Sequence, residues 1–163
     1  MSRDLSTLLT ALQDRTVQKR LAAVKELGRS GNPAAVVPLC ATLADPHPAI
    51  RKEVAQALGR LEDAEAVPAL IAVLDDPRPD VRAAVVAALG RLGDRRAVGP
   101  LTRCLSDREE MIRIGAAGVL GKLGNQRAAE SLRILARDPF SGVREAAEAA
   151  LARLRKKDGK RRA

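Results

Sequence analysis

The chain has no tryptophan and no tyrosine, and Phe140 is its only aromatic residue. Its core must therefore be filled by Leu, Val and Ala, side chains small enough to let helices approach closely. The same lack removes the aromatic platforms on which single-stranded bases stack. There is one histidine, His47, inside an Asp-Pro-His-Pro turn. With no second histidine it lacks the company that a metal site or an acid–base pair requires. The two cysteines, Cys40 and Cys104, are far apart in the chain, so no disulfide is expected and a reducing, cytoplasmic setting fits. No stretch approaches the ~18 apolar residues of a membrane span. The first residues carry charge early and form no signal peptide. Glu62-Asp63 and Glu109-Glu110 are adjacent carboxylates. Neighbours on a helix point apart, so neither pair makes an acid–base couple. No glycine loop of phosphate-binding type is present. Catalysis, metal binding and a cofactor are not expected.

What the chain does contain is a repeat of 31 residues. Asp14, Asp45, Asp76, Asp107 and Asp138 each open a copy. Arg20, Arg51, Arg82, Arg113 and Arg144 follow at a fixed distance, and Leu27, Leu58, Leu89, Leu120 and Leu151 at another. Periods of 20 to 50 residues signal solenoids, in which each unit packs only on its neighbours. In the copy starting at Asp45, Pro48 suits the first turn of a helix, where its missing N–H costs nothing. Ile50, Val54, Ala57, Leu58 and Leu61 then form an apolar face at helical spacing. A second helix is expected from about Glu65 to Leu74, with Val67, Leu70 and Leu74 facing inward. Glycines such as Gly93 can take the left-handed conformation that ends the first helix, and Asp94 can cap the next helix or its turn. The recurring Arg29, Arg60, Arg91, Lys122 and Arg153 sit near helix C-termini, where a cation complements the dipole.

The expected fold is all-α: a right-handed α-solenoid of tandem helical hairpins, about ten helices. A single domain spans 4–154. It comprises a half repeat at 4–13, repeats at 14–44, 45–75, 76–106 and 107–137, and a half repeat at 138–154. Residues 155–163 read as a disordered basic tail without an apolar face. Two departures from the pattern stand out. Lys19 replaces the apolar residue of the other copies, which loosens the first repeat. Gly115, Gly118, Gly121 and Gly124 enrich the fourth, for a close helix contact or a bend.

The residues Asp76, Pro77, Val81, Arg82, Ala84, Ala88, Leu89, Gly90, Leu92, Gly93, Asp94, Ala97, Val98 and Leu101 spell DPxPxVRxxAxxALGxLGDxxAVxxL. This pattern resembles the HEAT-like repeat of phycobilisome-lyase subunits and many prokaryotic adaptor proteins, over about residues 4–154. The resemblance implies that Arg20, Arg51, Arg82, Arg113 and Arg144 form a structural ladder with the aspartates of neighbouring repeats. It also implies protein binding along a concave face made by the second helices. HEAT-like hydroxylases carry paired His-Glu motifs for iron, and this chain has none.

Charge is uneven. Residues 1–75 hold nine basic and nine acidic residues, whereas 76–163 hold twenty and eleven, which accounts for the net +9. On the second helices the positions that the repeat leaves free are Val37, Cys40, Ala41, Pro68, Ile71 and Ala72 in the first half. In the second half they are Arg95, Arg96, Arg103, Arg127, Arg133 and Arg137. The resulting expectation is a non-enzymatic scaffold or adaptor that binds a protein or peptide with an acidic segment. Two alternatives are nucleic-acid binding through the basic face and tail, and a bilin-lyase-like subunit. Charge alone would make the first of these salt-sensitive and non-specific.

Overall fold

A computed structural model describes residues 4–162, apart from the side chains of residues 160–162. Ten α-helices and no strands are found among the described residues. They are α1 (Leu5–Ala11), α2 (Val17–Arg29), α3 (Val36–Thr42), α4 (Pro48–Leu61), α5 (Val67–Ala72), α6 (Pro79–Leu92), α7 (Val98–Arg103), α8 (Glu110–Leu123), α9 (Ala129–Leu135) and α10 (Ser141–Arg162). Long and short helices alternate as the helical hairpins of an α-solenoid fold. The chain clusters into two compact units, one ending at Leu92 and one starting at Gly93.

In the first unit the apolar spacing produces a continuous core. Leu8 and Leu12 are buried, and Val24, Leu27, Leu39, Ile50, Leu58, Leu70 and Leu89 are fully buried. Each such leucine contributes about 1.5–3 kcal/mol by burial. Leu5 and Leu61 are only half-buried. Neighbouring long helices meet at a small-residue contact. A Cβ added to Gly28 would lie 2.6 Å from the Cβ of Ala57, and one added to Gly59 would lie 3.0 Å from the Cα of Ala88. Gly28 and Gly59, each following a leucine, are thus where neighbouring long helices of this unit touch.

The second unit repeats the scheme with Leu101, Ile112, Leu120, Leu132, Val143 and Leu154 buried. Here Gly121 meets Ala150: its added Cβ would be 2.7 Å from the Ala150 Cα. The glycine-rich helix α8 is therefore a close-contact helix at Gly121, while a Cβ on Gly118 would meet no atom within 4 Å.

The short helices differ from the expected form. Instead of one helix from about Glu65 to Leu74, a 3-10 turn (Ala64–Ala66) leads into α5. The same turn precedes α3, α7 and α9, at Pro33–Ala35, Arg95–Ala97 and Gln126–Ala128. Its cause is local. Asn32, Asp63, Asp94 and Asn125 each accept a hydrogen bond from the backbone N–H two residues on, at 2.7–3.0 Å. That geometry sets a tight first turn before α-helical hydrogen bonds begin. Long helices end where the backbone turns left-handed, at Gly93 (φ 68°) and Gly124 (φ 69°). In the second repeat Glu62 takes this role at φ 54°.

The C-terminal segment also differs. Helix α10 does not stop at Leu154 but continues to Arg162, so the basic tail is helical rather than disordered over the described residues; Ala163 lies outside them. Lys and Arg are good helix formers. The extension is also tethered. Gln126 Nε2 donates to the Leu154 carbonyl at 3.1 Å, and Lys157 Nζ donates to the Lys122 carbonyl at the end of α8.

Candidate functional site

The recurring aspartate does two jobs. Its first oxygen accepts the backbone N–H two residues on, as in Asp45 with His47 (2.8 Å) and Asp138 with Phe140 (3.0 Å). This shapes the turn before each long helix. The carboxylate also receives the arginine of the preceding repeat edge-on. In the first unit Arg20 Nε donates to Asp45 Oδ2 at 2.7 Å and its Nη2 to Oδ1 at 3.0 Å. Arg51 does the same to Asp76 at 2.6 and 3.0 Å. In the second unit Arg113 meets Asp138 at 2.9 and 3.1 Å.

The remaining edge of each guanidinium closes on the backbone of its own turn. Nη1 donates to the carbonyl of Asp14 from Arg20, of Asp45 from Arg51, of Asp76 from Arg82, of Asp107 from Arg113 and of Asp138 from Arg144. Two-point pairing of this kind fixes direction as well as distance. Burial pulls Asp45 and Asp76 upward in pKa. The hydrogen bonds from Arg20 and Arg51 and from the backbone outweigh it, so both stay below the usual carboxylate range. For Asp138 the hydrogen bond from Arg113 is the leading cause of the same lowering. These arginines are occupied by the fold.

The freely variable positions are different. In the first unit Val37, Ala41, Pro68 and Ala72 are exposed, while Cys40 and Ile71 are half-buried. Cys40 and Ile71 directly follow the buried Leu39 and Leu70 on the same helix, about 100° round, which places them at the edge of the buried stripe. In the second unit Arg95, Arg96, Arg103, Arg127, Arg133 and Arg137 are all exposed. They are not equivalent. Arg96 closes on Asp94 at 2.7 Å and Arg133 on Glu130 at 2.8 Å. The guanidinium groups of Arg95, Arg103, Arg127 and Arg137 make no ion pair or hydrogen bond among the described residues. Four uncommitted cations thus surround α7 and α9. The apolar and basic sets fall in different units.

Each unit carries an open notch where consecutive short helices end. In the first it encloses about 370 Å³ and is floored by Asp14, Arg20, Asp45 and Pro46. In the second it encloses about 520 Å³ and is floored by Asp107, Arg113, Asp138 and Pro139. Beside the latter the Phe140 ring lies 5.6 Å from the Arg113 Cζ. His47 is exposed at the start of α4, where its backbone N–H serves the Asp45 turn. No group of three or more His, Cys, Asp or Glu that could hold a metal occurs among the described residues. No helix among them is long and apolar enough to cross a membrane.

Helical hairpins stacked through an arginine–aspartate ladder define a helical-repeat scaffold. The family model for HEAT repeats matches residues 5–78 and 67–152, and the chain belongs to that family. No curated protein matches it in sequence. Among solved structures it resembles a chain in the complex of CpcE and CpcF of phycocyanin lyase from Nostoc sp. PCC7120. That likeness has 29% identity and a TM-score of 0.64, and covers 87% of this chain and 61% of that one. The present chain therefore spans less than two thirds of the lyase chain. It also resembles a designed armadillo repeat protein in complex with peptide (KR)4, at 21% identity and a TM-score of 0.74, over 92% of this chain and 81% of that one. Human deoxyhypusine hydroxylase in complex with glycerol is similar at 17% identity and a TM-score of 0.51, over 93% of this chain and 96% of that one. The last two show the fold alone.

Proposed function

We propose that the chain is a non-enzymatic scaffold that binds a protein or peptide through its short helices, and that its partner presents an acidic segment. The observation that carries this reading is the set of four uncommitted guanidinium groups, Arg95, Arg103, Arg127 and Arg137. The repeat itself employs its arginines in the ladder. These four stand at positions the repeat leaves free, where a binder places specificity. Exposed cations of one sign steer an acidic partner and fix its register more than they add affinity. The solved neighbours support the coarser half of the reading: one is a complex of two protein chains, and another holds a peptide. The second neighbour's peptide is basic, and the basic surface here calls for the opposite charge.

The test is capture of the partner by the double variant Arg95→Glu with Arg127→Glu. The reading expects capture to be lost while the helical circular dichroism is kept. Unchanged capture would refute the assignment to these arginines. A bilin-lyase-like role would instead show as a shift in bilin absorbance on mixing, and the scaffold reading expects none.

A further inference from the structure

We propose that the notch of the second unit is an anchor subsite for an extended acidic segment of a protein partner. It takes a carboxylate side chain at Arg137 and an aliphatic side chain, two residues away in the partner, on Ile134. This rests on the scaffold reading and adds to it a location and a partner pattern.

The two notches are the same construction at different points of the repeat. Asp14, Arg20, Asp45 and Pro46 correspond to Asp107, Arg113, Asp138 and Pro139, each three periods of 31 residues later. Leu12 and Leu105 correspond in the same way. The floor is therefore constant, and its arginine is already committed. Arg113 spends one edge on Asp138 and donates from Nη1 to the carbonyls of Asp107 and Arg108. Discrimination has to come from the walls, and the walls differ. Where the first notch has Gln13, Ala41 and Ala44, the second has Ser106, Ile134 and Arg137.

These replacements bring together an apolar and a cationic group on one lip. Ile134 is 67% exposed, so its aliphatic side chain is open to a partner. Arg137 lies three residues later, in the turn closed by its backbone N–H to the Ile134 carbonyl at 3.0 Å, and its guanidinium is uncommitted. Residues three apart along a helix lie about 5–6 Å apart at Cβ. In an extended segment, residues two apart share a face and are separated by about 6.6 Å. An acidic residue and an aliphatic one on one face of an extended segment match the charged and apolar groups of the lip. Phe140, 53% exposed, has its ring 5.6 Å from the Cζ of Arg113, the arginine of the notch floor. The Asp138 carboxylate in the floor is paired with Arg113, and Arg137 adds an exposed cation at the lip.

The repeat supplies its own test substitutions. Ile134→Ala and Arg137→Ala install the residues that the first notch already carries, so the fold accommodates them. The full chain is titrated at low salt with three dye-labelled peptides read by fluorescence anisotropy. They repeat Leu-Ser-Glu-Ser, Leu-Ser-Gln-Ser and Leu-Glu-Ser-Ser. The first places Leu and Glu on one face, the second removes the charge, and the third breaks the spacing. The expected result is binding of the first peptide about 5–10-fold tighter than the other two, a size fitting one exposed ion pair plus partial aliphatic burial. That preference disappears in the double variant and survives Lys25→Ala, which removes an exposed cation of the first unit. Equal binding of the three peptides overturns the notch, as does an unchanged preference in the double variant. Either result leaves the scaffold reading standing if a protein partner is still captured from lysate. No binding of any peptide and no captured protein overturns both.

Discussion

Replacing Gly118 and Gly121 of α8 with alanine, one at a time, separates two roles that glycine plays within a single helix. Both positions are helical, so each substitution removes the entropic cost of glycine, worth about 0.5–1 kcal/mol. At Gly118 nothing opposes the gain, since the new Cβ has no heavy atom within 4 Å. Gly118→Ala should therefore stabilise the protein by about 0.5–1 kcal/mol, a rise in Tm of roughly 1–4 °C for a chain of this size. At Gly121 the new Cβ would stand 2.7 Å from the Cα and 2.9 Å from the Cβ of Ala150. Neither atom is the end of a flexible side chain, so α8 and α10 must move apart. Overpacking of this kind costs about 1–3 kcal/mol. Set against the same entropic gain, Gly121→Ala should lose about 1 kcal/mol, the centre of a span reaching about 2.5 kcal/mol. The assay is urea unfolding monitored by far-ultraviolet circular dichroism, since there is no tryptophan to report by fluorescence. Opposite signs are expected. A Gly121→Ala protein as stable as the parent would refute the close-contact account of the repeat glycine.

Glu62 is the one left-handed non-glycine residue among those described, and Glu62→Gly should stabilise by about 0.5–1 kcal/mol in the same unfolding assay; a loss would mean its side chain matters more than its backbone. Asp76→Asn removes the charge from the pair with Arg51 and should cost about 1.5–3 kcal/mol, the range for hydrogen bonds to charged groups. Asp45, Asp76 and Asp138 have folded pKa values below the ordinary one. Their contribution is complete above the ordinary aspartate value of about 4 and is lost as pH falls below it. A plot of Tm against pH should then be flat from neutrality to about 4 and fall steeply below; a fall centred near the histidine range would contradict the ladder as its origin.

Much of this architecture can be read in the sequence because the repeat exposes it. Asp45 and Arg20 announce a partnership by their fixed register, and Gly93 announces a helix end. The 3-10 turns are harder to read. Asn32, Asp63, Asp94 and Asn125 are visible as caps, but a cap does not say whether the next turn closes on the third or the fourth residue. The helical course of residues 155–162 is hidden because a basic run has no apolar periodicity; its tethers, Gln126 to Leu154 and Lys157 to Lys122, are contacts between distant positions. The six second-unit arginines at positions the repeat leaves free look alike in sequence. Only geometry divides Arg96 and Arg133, which have carboxylate partners, from Arg95, Arg103, Arg127 and Arg137, which do not. The notches are invisible for a related reason: each is assembled from short and long helices and the turns between them, and the correspondence shows only when positions three periods apart are compared.

The central claim is that this repeat array exists to hold another protein. Affinity capture with the full chain from a lysate of the source organism, with and without nuclease, then mass spectrometry of the bound material, tests it most directly. A stoichiometric protein partner that survives nuclease and is lost with Arg95→Glu and Arg127→Glu is the expected result. Capture that vanishes with nuclease would contradict the account and assign the exposed arginines and the basic end of α10 to nucleic acid instead.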